Sequence, residues 1–132
     1  MVQPRLFAAL LAAAAVTAVA APSRAAAIQP FSEAAFHAAQ AQGRSILVDA
    51  HADWCPICHL QAPTLAKLAN EPAFSKLVIL RLNYDRQIAE KQALGIRMQS
   101  TLIAFKGSKE TGRSVGVTSA SQVTALAQTA LN

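Results

Sequence analysis

Two periodicities alternate along this chain. PFSEAAFHAAQAQG (residues 30–43) reads as a helix. Ser32 suits the N-cap, Glu33 the first turn and Gly43 the position just past the end. Phe31 and Phe36 stand at the staple positions on either side of the cap. SILVDAHA (45–52) is nearly all apolar apart from Asp49 and His51, which predicts a buried central strand. The next helix opens at a pair of cysteines. Ile57, Leu60, Leu65 and Leu68 fall roughly on one face of it, and Pro63 lies inside it, where a ring without an N–H predicts a kink. EPAF (71–74) ends it. KLVILRLNYD (76–85) predicts a strand, and RQIAEKQALG (86–95) a short helix closed by Gly95. STLIAFKG (100–107) predicts another strand, and GRSVGV (112–117) a weaker one after a Gly-containing turn. SASQVTALAQTALN (119–132) predicts a last helix with a capping box from Ser119 to Gln122.

Strands and helices that alternate in this way argue an α/β fold, a sheet with helices on both faces. The last two strands, about six residues apart, should pair antiparallel as a hairpin. A further short strand at Ile28–Pro30 is a weaker expectation. The sheet therefore has four strands, or five with that one.

The N-terminus breaks the pattern. Met1 to Arg5 is short and positive, Leu6 to Ala20 is a continuous apolar run, and Ala25-Ala26-Ala27 is a small-residue cleavage pattern. This is the layout of a secretory signal peptide. The run is shorter than the roughly 20 residues that a spanning helix needs, which argues against an uncleaved anchor. Residues 1–27 are thus expected to be a leader, with cleavage after Ala27 or, alternatively, after Ala21. Residues 28–132 form one domain. The net charge of +5 includes Arg5 and Arg24, so it says little about the mature chain. No Lys/Arg cluster or basic-aromatic stripe points to nucleic acid. Export places the chain where disulfides persist, in the periplasm if the source is Gram-negative.

Both cysteines lie in DWCPICHLQAP (53–63). Bridging thiols two residues apart closes almost no loop, so a bridge between Cys55 and Cys58 gains little entropic stabilisation, and their spacing suits chemistry instead. Three chemistries compete. Cys-x-x-Cys-His is the c-type haem attachment signature, with Met98 available as a second axial ligand. Zinc could use His51, Cys55, Cys58 and His59, yet the second ligand pair that such sites draw from a separate stretch is missing. A redox dithiol needs neither, and it is the reading that keeps the three apolar strands.

The elements ILVDAHADWCPIC, the helix proline Pro63, KLVILRLNYD, LGIRMQSTLIAFKG, Gly116 and the last helix together resemble the thioredoxin superfamily, over about residues 28–131. The resemblance implies a thioredoxin fold and thiol–disulfide exchange through a Cys55–Cys58 disulfide, with no cofactor beyond the pair and no metal. It is closest to the small single-domain members. Cys55, at the N-terminal end of a helix that favours negative charge, would attack. Cys58, expected to be the more buried, would resolve the mixed disulfide. Asp49 would be the base that helps Cys58, as thioredoxins carry an acid at the matching place. Pro56, His59 and Arg81 would tune the thiols, Arg81 as a fixed charge partner of Asp49. Trp54 would cover the dithiol and, with Met98, Gln99, Ser100 and Thr101, border the substrate. His51, His37 and Asp53 are expected to be structural or solvated.

Ser100 departs from the family pattern. Thioredoxins place a cis-proline there, facing the dithiol. A cis bond before a non-proline residue costs about 2.5–4 kcal/mol, so a trans bond is expected, and with it a differently shaped substrate loop and more room beside the thiols. The expectation is an exported protein-disulfide reductase, served by protein disulfides or dithiols and a membrane redox partner, and monomeric. The alternative is a thioredoxin-like binding, chaperone or metal-handling module with little turnover.

Overall fold

The computed structural model describes residues 17–18 and 28–132. The expected leader, residues 1–27, lies outside the described residues but for that pair. Ten elements follow in the order β1 (Ile28–Pro30), α1 (Glu33–Ala41), β2 (Ser45–His51), α2 (Pro56–Asn70), a 3-10 turn (Pro72–Phe74), β3 (Leu77–Asn83), α3 (Ile88–Ala93), β4 (Thr101–Lys106), β5 (Lys109–Val115) and α4 (Ala120–Thr129). Among the described residues no helix is long and apolar enough to cross a membrane.

The strands form one mixed sheet in the order β1-β3-β2-β4-β5. β1 and β2 run parallel to β3, whereas β4 pairs antiparallel with β2 and with β5. The three strands that a haem domain would have had to do without are all present, and the weak one at Ile28–Pro30 makes a fifth. The hairpin differs from expectation in its turn. β5 begins at Lys109, so only Gly107 and Ser108 separate it from β4. Gly107 supplies φ +57, the left-handed backbone that a two-residue hairpin turn needs. Thr111 and the charged residues of this edge strand hid it from a search for apolar runs.

Alternation along each strand divides the core in two. Leu47, Ile79, Leu102 and Ala104 face α2 and α4, meeting Leu65, Leu68, Val123 and Ala127. Ile46, Val48, Leu80 and Ile103 face the other way, against Phe36 and Ala39 of α1. Full burial of each such aliphatic side chain contributes roughly 2 kcal/mol. The expected staple is formed: the Phe31 and Phe36 rings lie 5.3 Å apart, and the Ser32 hydroxyl accepts from the Ala35 N–H. α2 continues through Pro63. Its buried face is not the expected one. Cys58, Gln61, Leu65, Leu68 and Ala69 are inside, while Leu60 is 59% exposed. The rotation follows from the cysteines, because a helix that turns Cys58 inward must bury the residue three further on and expose Leu60.

Candidate active site

The two cysteines meet where β2 gives way to α2. Cys55 is the N-cap of α2 in extended conformation (φ −85°, ψ 110°), and Pro56 follows in the first turn, where its missing N–H costs least. The Cys55 sulfur accepts the Cys58 backbone N–H at 3.1 Å. It thus does what a serine or aspartate oxygen does at an ordinary cap, taking up one of the donors left unpaired at a helix start. Both cysteines are free thiols. Contrary to expectation they do not differ in burial: Cys55 is 0% and Cys58 1% exposed. Ile57 and Tyr84 pack on the small cluster that they form with Ala52.

Cys58 is the reluctant acid of the pair. Burial pushes its thiol up from 9.0 to about 11, with the hydrogen bond to Cys55 and the charge of that sulfur adding to the rise. Its thiol lies 3.8 Å from the Ala50 carbonyl. Asp49 is buried on the α2 face of β2, and Arg81 Nε donates to its Oδ2 at 2.8 Å. Arg81 is therefore the fixed partner that its place in the sequence suggested. Among the described residues no direct hydrogen bond joins Asp49 to Cys58. A cleft of about 380 Å³ opens on this side of the sheet, lined by Arg81, His51, Asn83 and Asp85 among others.

The loop before β4 meets the dithiol from the other side. No described peptide bond is cis, and Ser100 takes φ +61, the one positive value on a residue other than glycine among the described residues. Ser100 is 4% exposed. Its N–H donates to the Ala50 carbonyl at 2.8 Å, the same oxygen that Cys58 approaches. Thr101 is buried, and its hydroxyl donates to the Met98 carbonyl at 2.7 Å. Met98 is 54% exposed and Gln99 half-buried. The loop residues expected to border a substrate are thus brought to the dithiol end of the sheet.

Other expected residues sit differently. Trp54 is 59% exposed, and its indole N–H donates to Asp85 Oδ2 at 2.9 Å. Tyr84, which the sequence did not single out, packs against the cysteines, its hydroxyl donating to the Arg97 carbonyl at 3.0 Å. His59 Nε2 donates to the Asp53 carbonyl rather than to either sulfur, and its ring meets His51 edge-on at 5.9 Å. His51 Nε2 donates to the exposed Asp53 carboxylate at 3.2 Å. His37 is a surface residue bonded to Gln40. Among the described residues no three His, Cys, Asp or Glu side chains are placed to hold a metal ion, so the zinc set His51, Cys55, Cys58 and His59 is not assembled. Gln61 was also missed. It is a polar residue in the run 58, 61, 65, 68, the spacing of a single helix face, and that spacing was the signal for its burial.

A family model described as thioredoxin matches residues 27–129. Among curated proteins the chain is similar to a thioredoxin of Chlamydia muridarum, 39% identical over 72 residues, which cover 54% of this chain and 69% of that one. Among solved structures it is similar to Trxlp of Edwardsiella tarda, with TM-score 0.73 and 41% identity over 75% of this chain and 96% of that one. It is also similar to a thioredoxin of Malassezia sympodialis, with TM-score 0.69 and 25% identity over 76% and 90% of the two chains.

Proposed function

The chain belongs to the thioredoxin family of thiol–disulfide oxidoreductases, and we propose on that premise that it is an exported protein-disulfide reductase whose working pair is Cys55 and Cys58. The observation that carries this reading is the bond from the Cys58 N–H to the Cys55 sulfur at the head of α2. The bond holds the Cys55 sulfur one helical turn from Cys58, the arrangement in which the second thiol can resolve a mixed disulfide on the first.

In the proposed cycle the Cys55 thiolate attacks one sulfur of a protein disulfide. A mixed disulfide forms, and the other substrate sulfur leaves and takes up a proton. Cys58 then gives its proton through water to Asp49 and attacks Cys55. The Cys55–Cys58 bond forms as the bond to substrate breaks. Two electrons have passed to the substrate and the pair is oxidised. A membrane redox partner returns it to the dithiol, and no cofactor or metal takes part. Arg81 holds the Asp49 carboxylate in place. Met98, Gln99, Ser100 and Thr101 border the substrate, and the exposed Trp54 offers it a flat face.

Export rests on residues 1–27, and the mature chain begins at Ile28, in the periplasm of a Gram-negative source. N-terminal sequencing of the protein recovered outside the cytoplasm checks this; an intact Met1 there would refute it. The reductase reading is tested by insulin reduction with dithiothreitol as electron source, where the purified domain accelerates precipitation. A second reading, a thioredoxin-like binding, chaperone or metal-handling module with little turnover, is favoured by Ser100 alone, and failure to reduce insulin would select it. Porphyrin found covalently attached to both sulfurs would overturn both readings.

A further inference from the structure

The proposed substrate loop is held in an unusual way. Each of four consecutive carbonyls accepts from a side chain. Arg97 O takes the Tyr84 hydroxyl, Met98 O the Thr101 hydroxyl, Gln99 O the Ser100 hydroxyl, and Ser100 O the Gln61 amide. Three of these donors are local to the loop or lie on the surface beside it. Gln61 is different: it reaches the loop from beneath, out of α2.

Gln61 is fully buried. Its Nε2 donates to Ser100 O at 3.2 Å and to Val117 O at 2.8 Å, so one amide ties α2 to both the Ser100 loop and the segment between β5 and α4. The Gly116 N–H reaches the same Ser100 carbonyl at 3.1 Å. The Gln61 Oε1 is buried with no partner among the described residues. An apolar side chain in this face, like the Leu65 and Leu68 that continue it, would remove the unpaired oxygen, at the cost of the Gln61 bond to Val117 O. A buried amide that loses one hydrogen bond in order to aim the other is explained by what it aims. Here the amide nitrogen holds two carbonyls, that of Val117 and that of Ser100, the residue whose own N–H shares the Ala50 carbonyl with the Cys58 thiol. Gln61 also lies three residues after Cys58, on the same face of α2.

We propose that Gln61 is a positioning residue: it fixes the left-handed Ser100 peptide against Cys58 and so sets the rate at which Cys58 resolves a mixed disulfide on Cys55. This assignment rests on the dithiol reading above.

The test uses the mature domain with Cys55 joined to glutathione. In the step measured, the Cys58 thiolate attacks the Cys55 sulfur, the Cys55–Cys58 bond forms, and glutathione leaves as a thiolate that takes up a proton. Gln61→Met keeps the length and apolar stem but neither donates nor leaves a buried amide oxygen. Release of glutathione is expected to slow about three- to tenfold, the ratio that one net hydrogen bond corresponds to. Because Val117 O also loses its Gln61 donor, the thermal midpoint is expected to fall by a few degrees, and the assignment is read from the rate alone. A lowered midpoint with an unchanged rate would make Gln61 structural only, and an unchanged rate at any midpoint overturns the assignment. Should Gln61→Met not fold, the wild-type protein decides by nuclear magnetic resonance. The Gln61 side-chain amide signals are expected to shift between the dithiol and disulfide forms, and signals that stay put overturn the assignment. Wild-type release of glutathione is the control. Its failure would sink the dithiol reading, whereas a working wild type with an unslowed variant sinks only the role of Gln61.

Discussion

Asp49 and Arg81 face each other in register across the parallel strands β2 and β3, with Arg81 Nε donating to Asp49 Oδ2 at 2.8 Å. Asp49 is two residues past Leu47 and Arg81 two past Ile79, so alternation turns both toward α2 and the thiols. The carboxylate is 1% exposed and the arginine side chain 33%. The pair is therefore asymmetric, and its two halves should fail differently.

Arg81→Met leaves a buried carboxylate without its partner, which is expected to destabilise the fold by about 3 kcal/mol. Asp49→Asn leaves an arginine that water already reaches, and stability is expected to change by less than about 1 kcal/mol. The same variant removes the proposed proton acceptor, so release of substrate from Cys55 should slow at neutral pH. Urea denaturation and insulin reduction on both variants check this. Equal losses of stability, or an Asp49→Asn protein of full activity, would refute the assigned roles.

The cysteines are expected to separate cleanly. Cys55→Ser removes the attacking sulfur, and insulin reduction falls to background. Cys58→Ser leaves Cys55 able to attack but not to be released, so mixed disulfides with partner proteins accumulate on a non-reducing gel. Trapping by Cys55→Ser instead would reverse the two roles.

The raised Cys58 thiol makes the reduced protein sensitive to alkali. The folded state holds this proton more tightly than the unfolded chain, because burial raises the thiol from 9.0 to about 11. Its contribution to stability is therefore fully present below about pH 9 and is lost as the pH rises through about 11. The disulfide form has no such proton. The gap in urea midpoint between reduced and oxidised protein is expected to shift against the reduced form over that window. A gap independent of pH would show that Cys58 titrates normally.

Ser100 sits at φ +61 while buried. A Cβ in left-handed backbone costs roughly 1–2 kcal/mol, and a branched one more. Ser100→Gly relieves that cost but gives up the hydroxyl bond to Gln99 O, and is expected to be near neutral in stability. Ser100→Val should lose about 2 kcal/mol or more in urea denaturation. A Val variant as stable as wild type would mean that the loop relaxes out of this conformation.

The fold was largely legible because its signals are local. The apolar runs of β2, β3 and β4, the caps at Ser32 and Ser119 and the Cys55–Cys58 spacing each lie within one segment, and together they narrow the topology to few possibilities. β5 was misplaced because an edge strand carries charge and little apolar alternation. Leu60 was assigned inside because apolar character alone does not fix which way a helix is turned.

What the chain determines by itself, then, is the order of its elements, the family to which it belongs, and the two sulfurs on which its chemistry is proposed to rest. Tertiary structure decided how α2 is rotated, that Gln61 is buried while Leu60 is exposed, that Tyr84 packs at the cysteines, and that four loop carbonyls are pinned by side chains. The reason is physical. A periodicity or a motif is held within a few residues of sequence, whereas the partner of a buried polar group comes from segments tens of residues apart, brought together only when the sheet and helices pack.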